Sequence, residues 1–202
     1  VYNVLTNDGI FITESHYFYN LFKTFQYDTI YHEHLRYYSL NSLKFILEKN
    51  GLEIFDVEEI TTQGGSLRLF AQRSDTGVRK ISDKVIELRK QELDAGINGA
   101  SFYKEFQLQT NIIKDELLSF LIKAKQDKKK VVAYGAAAKG NTLLNYAGVR
   151  PDLITYVVDK NIEKQNKFMP GSRIPIKDED FLKKDKPDFV LILPWNLKKE
   201  II

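Results

Sequence analysis

The apolar run Val131-Val132-Ala133-Tyr134 leads straight into Gly135-Ala136-Ala137-Ala138-Lys139-Gly140 and then into a helical pattern reaching about Ala147. A short strand that turns at glycine and restarts as a helix opens a βα unit, and this feature constrains the fold more than any other. Leu153 to Val158 reads as a second strand and Phe189-Val190-Leu191-Ile192-Leu193 as a later one. Short, continuously apolar strands between helices are buried on both faces. They predict a parallel sheet covered by helices, so the class is α/β.

Gly135, Ala137 and Gly140 match the spacing G-x-G/A-x-x-G, with Ala137 in the middle place. Backbone N–H groups and the helix dipole at such a turn favour an anion, and Lys139 adds a positive charge. Asp159 ends the next strand about 20 residues on, where a ribose hydroxyl would be held. The pattern is not a Walker loop, because the Lys precedes the last Gly and no Gly-Lys-Ser/Thr follows. A second reading stays open. The Ala137 methyl sits where a pyrophosphate would approach the backbone, and the small residues equally serve a tight turn and close helix–strand packing. Lys167-Phe168-Met169-Pro170-Gly171-Ser172 is a turn near the carboxyl end of the sheet, lining a pocket or only turning the chain. Trp195, after Pro194, stacks on a base or caps the core.

Upstream, residues 1–73 read as strand, helix, strand, strand. Gly9 to Glu14 is a strand and Tyr17 to Phe25 a short helix. Ser39 caps a helix with Leu40, Leu43, Ile46 and Leu47 on one stripe, and Gly51 stops it. Leu52–Ile60 and Ser66–Ala71 are strands joined by a glycine turn, an antiparallel edge. From about Ser74 to Asp127 the pattern is helical, broken at Gly96 and Gly99. No repeat or low-complexity tract occurs.

The 202 residues contain no Cys, which excludes a disulfide scaffold, Cys-liganded zinc and thiol catalysis within this chain. Thirty Lys and Arg against 27 Asp and Glu give a net charge of +3. Without a clustered basic face this predicts no nucleic-acid partner. No apolar run approaches the roughly 18 residues of a membrane span, and no signal peptide is visible. The expectation is a soluble, cytoplasmic protein. Val1 stands where an initiator Met would, and Glu200-Ile201-Ile202 stops inside a helical start, so the chain reads as a fragment cut at both ends.

The densest polar-aromatic cluster is Tyr27-Asp28-Thr29-Ile30-Tyr31-His32-Glu33-His34-Leu35, with two of the three His in the chain. Imidazole is the natural general base near neutral pH, a neighbouring carboxylate stabilises its cation, and a tyrosine hydroxyl suits a developing oxyanion. Two other readings remain: an ordinary strand end with hydrogen-bonded His, or a strand placing His32 and His34 together on a metal, for which no third ligand is visible nearby. His16, beside Glu14, reads as a loop residue at a strand end, where open sheets bind ligands.

Together these motifs resemble the sugar C-methyltransferases, S-adenosylmethionine-dependent enzymes that act on nucleotide-linked keto-sugars in deoxysugar pathways, as the nucleotide-deoxysugar C-3-methyltransferases do. The resemblance rests on four segments: Tyr27 to His34; Gly64-Gly65-Ser66-Leu67-Arg68; Tyr134 to Thr142; and Lys167 to Ser172 with Leu193-Pro194-Trp195-Asn196. It implies that residues 1–73 are the closing half of a Rossmann-like methyltransferase domain. Residues 74–202 would be a helical linker and a Rossmann-like C-terminal domain. The zinc-binding N-terminal region and the loop that holds S-adenosylmethionine would lie outside this chain, and no metal is expected within it. The family's catalytic tyrosine, glutamate and histidine fall on Tyr31, Glu33 and His34. Its glycine loop carries over as a sugar-nucleotide contact through Gly135, Ala137, Lys139, Gly140, Asn141 and Asp159. The implied mechanism has His34 remove the proton beside a 4-keto group, Glu33 support the imidazolium and Tyr31 bind the enolate oxygen. The carbanion then attacks the sulfonium methyl group. Two competing readings are a non-catalytic module for a nucleotide-sugar or dinucleotide, and a nicotinamide oxidoreductase. The exact sugar and the oligomeric state are not legible.

Overall fold

The computed structural model describes residues 1–202, the side chain of Gln63 excepted. The chain forms two compact units: residues 1–25 with 36–107, and residues 26–35 with 108–202.

The first unit is built on β1 (Phe11–His16), β2 (Leu52–Ile60) and β3 (Ser66–Arg73). β3 is central, in the order β1-β3-β2, and antiparallel to both neighbours. β1 and β2 therefore run parallel to each other. Alternation puts Leu67, Leu69 and Ala71 of β3 on the buried face. They pack with α1 (Phe18–Lys23), α2 (Leu40–Lys49) and α3 (Asp83–Asp94) through Tyr19, Leu40, Leu43, Val85 and Leu88. The β1 strand starts later than expected because the Gly9 N–H turns back to the Thr6 carbonyl at 3.1 Å. His16 is the last residue of that strand, not a loop residue, and is buried.

The α2 boundaries agree with the cap residues. Ser39 Oγ accepts from the Ser42 N–H at 3.1 Å, and Ser42 Oγ accepts from the Ser39 N–H at 2.9 Å, a capping box with serine in the third place. Gly51 takes φ +73°, which favours glycine after the helix. The other first-turn donors are met from α3. Buried Glu92 accepts from the Leu40 N–H at 2.6 Å, the Asn41 N–H at 2.9 Å, Asn41 Nδ2 at 2.7 Å and Tyr17 Oη at 2.9 Å. A carboxylate there satisfies orphan N–H groups and faces the positive end of the helix dipole. This contact, with Val85, Leu88 and Ile97 in the core, is why residues 74–107 group with the first sheet and not with the second unit. The expected division at 73/74 ignored that packing.

α4 (Ala100–Gln126) brings residues from 108 onward to the second unit, whose core takes Leu121 and Ala124. The sheet there is parallel: β4 (Val131–Tyr134), β5 (Val157–Val158), β6 (Ile176–Lys177) and β7 (Phe189–Ile192), in the order β6-β5-β4-β7. This is the expected Rossmann-like α/β class. α5 (Ala138–Tyr146) connects β4 to β5, α6 (Asp180–Asp185) precedes β7, and α7 (Lys198–Ile201) comes after it. β5 is shorter than the predicted Leu153–Val158, because the N–H groups of Leu153 and Ile154 both turn onto the Arg150 carbonyl. β6 escaped the sequence reading, since two residues carry no periodicity. From β4 the chain moves to β5 and β6 on one side, and β7 returns on the other. The carboxyl ends of β4 and β7 therefore flank a topological switch point. No helix among the described residues is long and apolar enough to cross a membrane.

Candidate functional site

A pocket of about 420 Å³ opens in the second unit near the start of α5. Three stretches of chain line it: Tyr31 and His32; Ala136, Ala137 and Ala138 with Asn141 and Thr142; and Glu163, Lys164 and residues 167–170 with Ile176. Its apolar wall includes Phe168, which is 59% exposed, and Met169. Two ammonium groups stand at it. Lys164 Nζ donates to the Ala136 carbonyl at 2.9 Å and pairs with Asp159 at 3.4 Å. Lys167 is exposed and makes no ion pair among the described residues.

Residues 26–35 form a loop of linked turns, so the strand readings of this segment do not hold. Tyr27–Thr29 is a 3-10 turn. The N–H of Ile30 returns to the Tyr27 carbonyl, that of Tyr31 to Thr29, and that of His34 to Tyr31. No strand places His32 and His34 on one face, which removes the geometric premise of a His pair on a metal. The turn brings the Tyr31 hydroxyl to 2.8 Å from His34 Nε2, with the rings edge to face. Burial, then the charges of Glu33 and Asp28, push the Tyr31 phenol up, so it holds its proton. In one tautomer it donates to the Nε2 lone pair; in the other it accepts from Nε2–H. Tyr31 reaches the pocket wall, His34 lies half-buried behind it, and Glu33 is exposed.

The glycine loop divides between lining and packing. Ala137 and Asn141 line the pocket. Gly135 and Gly140 do not, and each allows a close approach. A Cβ on Gly135, at φ +90°, would fall 2.5 Å from Pro194 Cδ, and one on Gly140 would fall 2.6 Å from Leu193 Cβ. Asp159 serves the loop itself. Its Oδ2 accepts from the Ala136 N–H at 2.7 Å and its Oδ1 from the Asn161 N–H at 2.8 Å. The Ala137 N–H turns to the Gly135 carbonyl at 2.9 Å. Lys139 points inward: it is buried, and its Nζ lies 4.9 Å from the centre of the Trp195 ring. The pocket cation is therefore Lys167, with Lys164 beside it. Sequence reasoning noted the turn at 167–172 but gave neither lysine a role, because a single exposed lysine in a loop carries no spacing signal.

Among known proteins, residues 61–202 match the family model described as the C-methyltransferase C-terminal domain. The chain is also 36% identical over 199 residues to the C-methyltransferase NovU of Streptomyces niveus, an alignment covering 98% of this chain and 47% of that protein. The chain thus spans about half the length of the curated relative it matches.

Proposed function

This chain belongs to the C-methyltransferase family, and on that premise we propose that it supplies the proton-abstracting and nucleotide-holding groups for C-methylation of a nucleotide-linked keto-sugar in the cytoplasm. The observation that carries this reading is one pocket in which Tyr31 and His32 meet the first turn of α5 and Lys167. A keto group acidifies the neighbouring C–H. The proton comes to rest on His34, the exposed Glu33 carboxylate favours the resulting imidazolium, and Tyr31 faces the sugar or its enolate oxygen. The Lys167 ammonium and the positive end of the α5 dipole suit the diphosphate, and the Phe168 ring gives the rest of the nucleotide an apolar face. Binding the nucleotide anchors the sugar remotely and holds the reacting carbon in place.

S-adenosylmethionine, when bound, supplies an electrophilic methyl group. No residue of this chain is assigned to hold it. Two glycines of the first unit have structural work: Gly51 stops α2, and Asn20 Nδ2 donates to the Gly64 carbonyl at 2.9 Å across the β2–β3 turn.

Two measurements test the reading. Calorimetric titration of the chain with thymidine diphosphate is expected to show saturable binding, weakened about 10-fold by Lys167→Ala through loss of one charge-assisted contact. Absence of binding would remove the nucleotide from this pocket. In the enzyme as its gene encodes it, His34→Asn should lower turnover far more than nucleotide affinity. Unchanged turnover would reject the assigned base and leave a binding module.

A further inference from the structure

Two ionisable side chains are buried together beyond the carboxyl ends of β4 and β7, and the proposed proton transfer uses neither. Asp28 is 5% exposed and Lys139 is 8% exposed. Trp195 Nε1 donates to Asp28 Oδ2 at 2.7 Å, and the Lys139 ammonium stands over the Trp195 ring. Burial raises the Asp28 carboxyl, against the pull of the Trp195 hydrogen bond and the Lys139 charge. Burial lowers the Lys139 ammonium, against the Asp28 charge. Such a pair is a weak source of stability, because desolvation offsets the attraction, and an apolar replacement is often as stable. What the pair does provide is a fixed geometry.

The cluster joins three elements. Asp28 lies in the turn Tyr27–Thr29, three residues before Tyr31. Lys139 is the second residue of α5, whose first turn lines the pocket. Trp195 opens the 3-10 turn Trp195–Leu197 beyond β7. Pro194, just before it, rests on Gly135. From Asp28 to His34 the backbone is hydrogen-bonded at short range, through Tyr31 N–H to the Thr29 carbonyl and His34 N–H to the Tyr31 carbonyl. Little slack separates the anchor from the Tyr31–His34 pair.

We propose that Asp28, gripped by Trp195 and Lys139, is a positioning residue that sets where Tyr31 and His34 stand against the pocket. The proposal rests on the catalytic reading of that pair. Its effect is geometric: a displacement of the reacting groups by about 1 Å can lower a rate about 100-fold while binding persists.

Trp195 is the only tryptophan in the chain, so its fluorescence reports the Asp28 contact directly. Three variants are compared with wild type: KM for the nucleotide-linked sugar and kcat are read in the enzyme as its gene encodes it, and Trp195 emission is read for the two Asp28 variants in the 202-residue chain, where it is the single tryptophan. Asp28→Ala is expected to lower kcat about 10- to 100-fold with little change in KM, and to shift the emission. Asp28→Asn keeps an acceptor for the indole N–H and should recover most of kcat and the wild-type emission. Trp195→Phe keeps a ring and removes only the donor, so it tests the contact mildly where Asp28→Ala fails to fold. It should lower kcat with KM retained.

If Asp28→Ala or Trp195→Phe raises KM and spares kcat, or if both leave kcat intact while His34→Asn abolishes it, the positioning role is overturned and the catalytic reading stands. If His34→Asn itself leaves kcat intact, the catalytic reading falls, and the positioning role falls with it.

Discussion

Replacing Glu92 tests whether a buried carboxylate on α3 holds the start of α2. Glu92→Ala removes four acceptor contacts, two to backbone N–H groups of α2 and two to the side chains of Tyr17 and Asn41. Burial and the Glu92 charge both push the Tyr17 phenol up, so it is held as a donor. The Asn41 donors are only partly buried and can turn to water. The Leu40 N–H and the Tyr17 hydroxyl are buried and cannot. Two orphaned donors cost about 1–3 kcal/mol each. Loss of a negative charge at the helix start adds roughly 0.3–1 kcal/mol. The expected destabilisation is therefore about 2–7 kcal/mol. Glu92→Gln keeps the volume but offers one N–H face where only acceptors fit, so it should fall between wild type and Ala. Urea unfolding monitored by far-ultraviolet circular dichroism measures both, read as a shift in midpoint at an unchanged slope. Glu92→Ala within about 1 kcal/mol of wild type would refute the reasoning, because a group worth so little cannot be capping the helix.

Gly135→Ala meets both a clash with Pro194 and an unfavourable φ, whereas Gly140→Ala meets only the Leu193 clash. Thermal and urea unfolding should place Gly135→Ala at about 2–5 kcal/mol and Gly140→Ala at about 1–3 kcal/mol below wild type, in that order. Arg73, then Tyr2, hold the Asp75 carboxyl down at about 2 by hydrogen bonding. A carboxyl lowered on folding stabilises the native state above its ordinary value of 3.8, and that stability is lost as pH falls through about 2. Urea midpoints measured between pH 5 and pH 2 should therefore fall more steeply for wild type than for Asp75→Asn, and parallel curves would reject the contact.

The parts of the fold legible from sequence are those with local causes. Ser39 and Gly51 mark a helix because cap chemistry acts within four residues. Val131–Tyr134 and Leu52–Ile60 declare themselves by apolar runs between turn signals. Glu92 escaped because its partners at Leu40 and Tyr17 lie about 50 and 75 residues away along the chain. The same holds for Asp28, whose partner Trp195 is 167 residues distant. Within the site, Tyr31 and His34 were legible as chemistry, since phenol and imidazole so close in sequence draw attention, but their hydrogen bond was not. Lys139 misled for a local reason: it sits inside the loop pattern, yet the second position of α5 faces the core.

The switch point gives the glycine loop a different meaning from the one its spacing implies. In an open α/β sheet, the crevice beyond the carboxyl ends of the strands flanking the switch is where a dinucleotide lies. Here Pro194 is packed on Gly135 in that crevice, and the segment carrying Tyr31 is tied to Trp195 through Asp28. The loop donors nearest a pyrophosphate are engaged as well, the Ala136 N–H by Asp159 and the Ala137 N–H by the Gly135 carbonyl. A nicotinamide cofactor would have to displace chain from its own core. A smaller ligand need not, because the pocket lies to one side, at Ala136–Ala138, Lys167 and Phe168. The small residues whose spacing suggests a cofactor loop thus permit close packing, and that packing leaves the Tyr31 segment at the edge of the pocket.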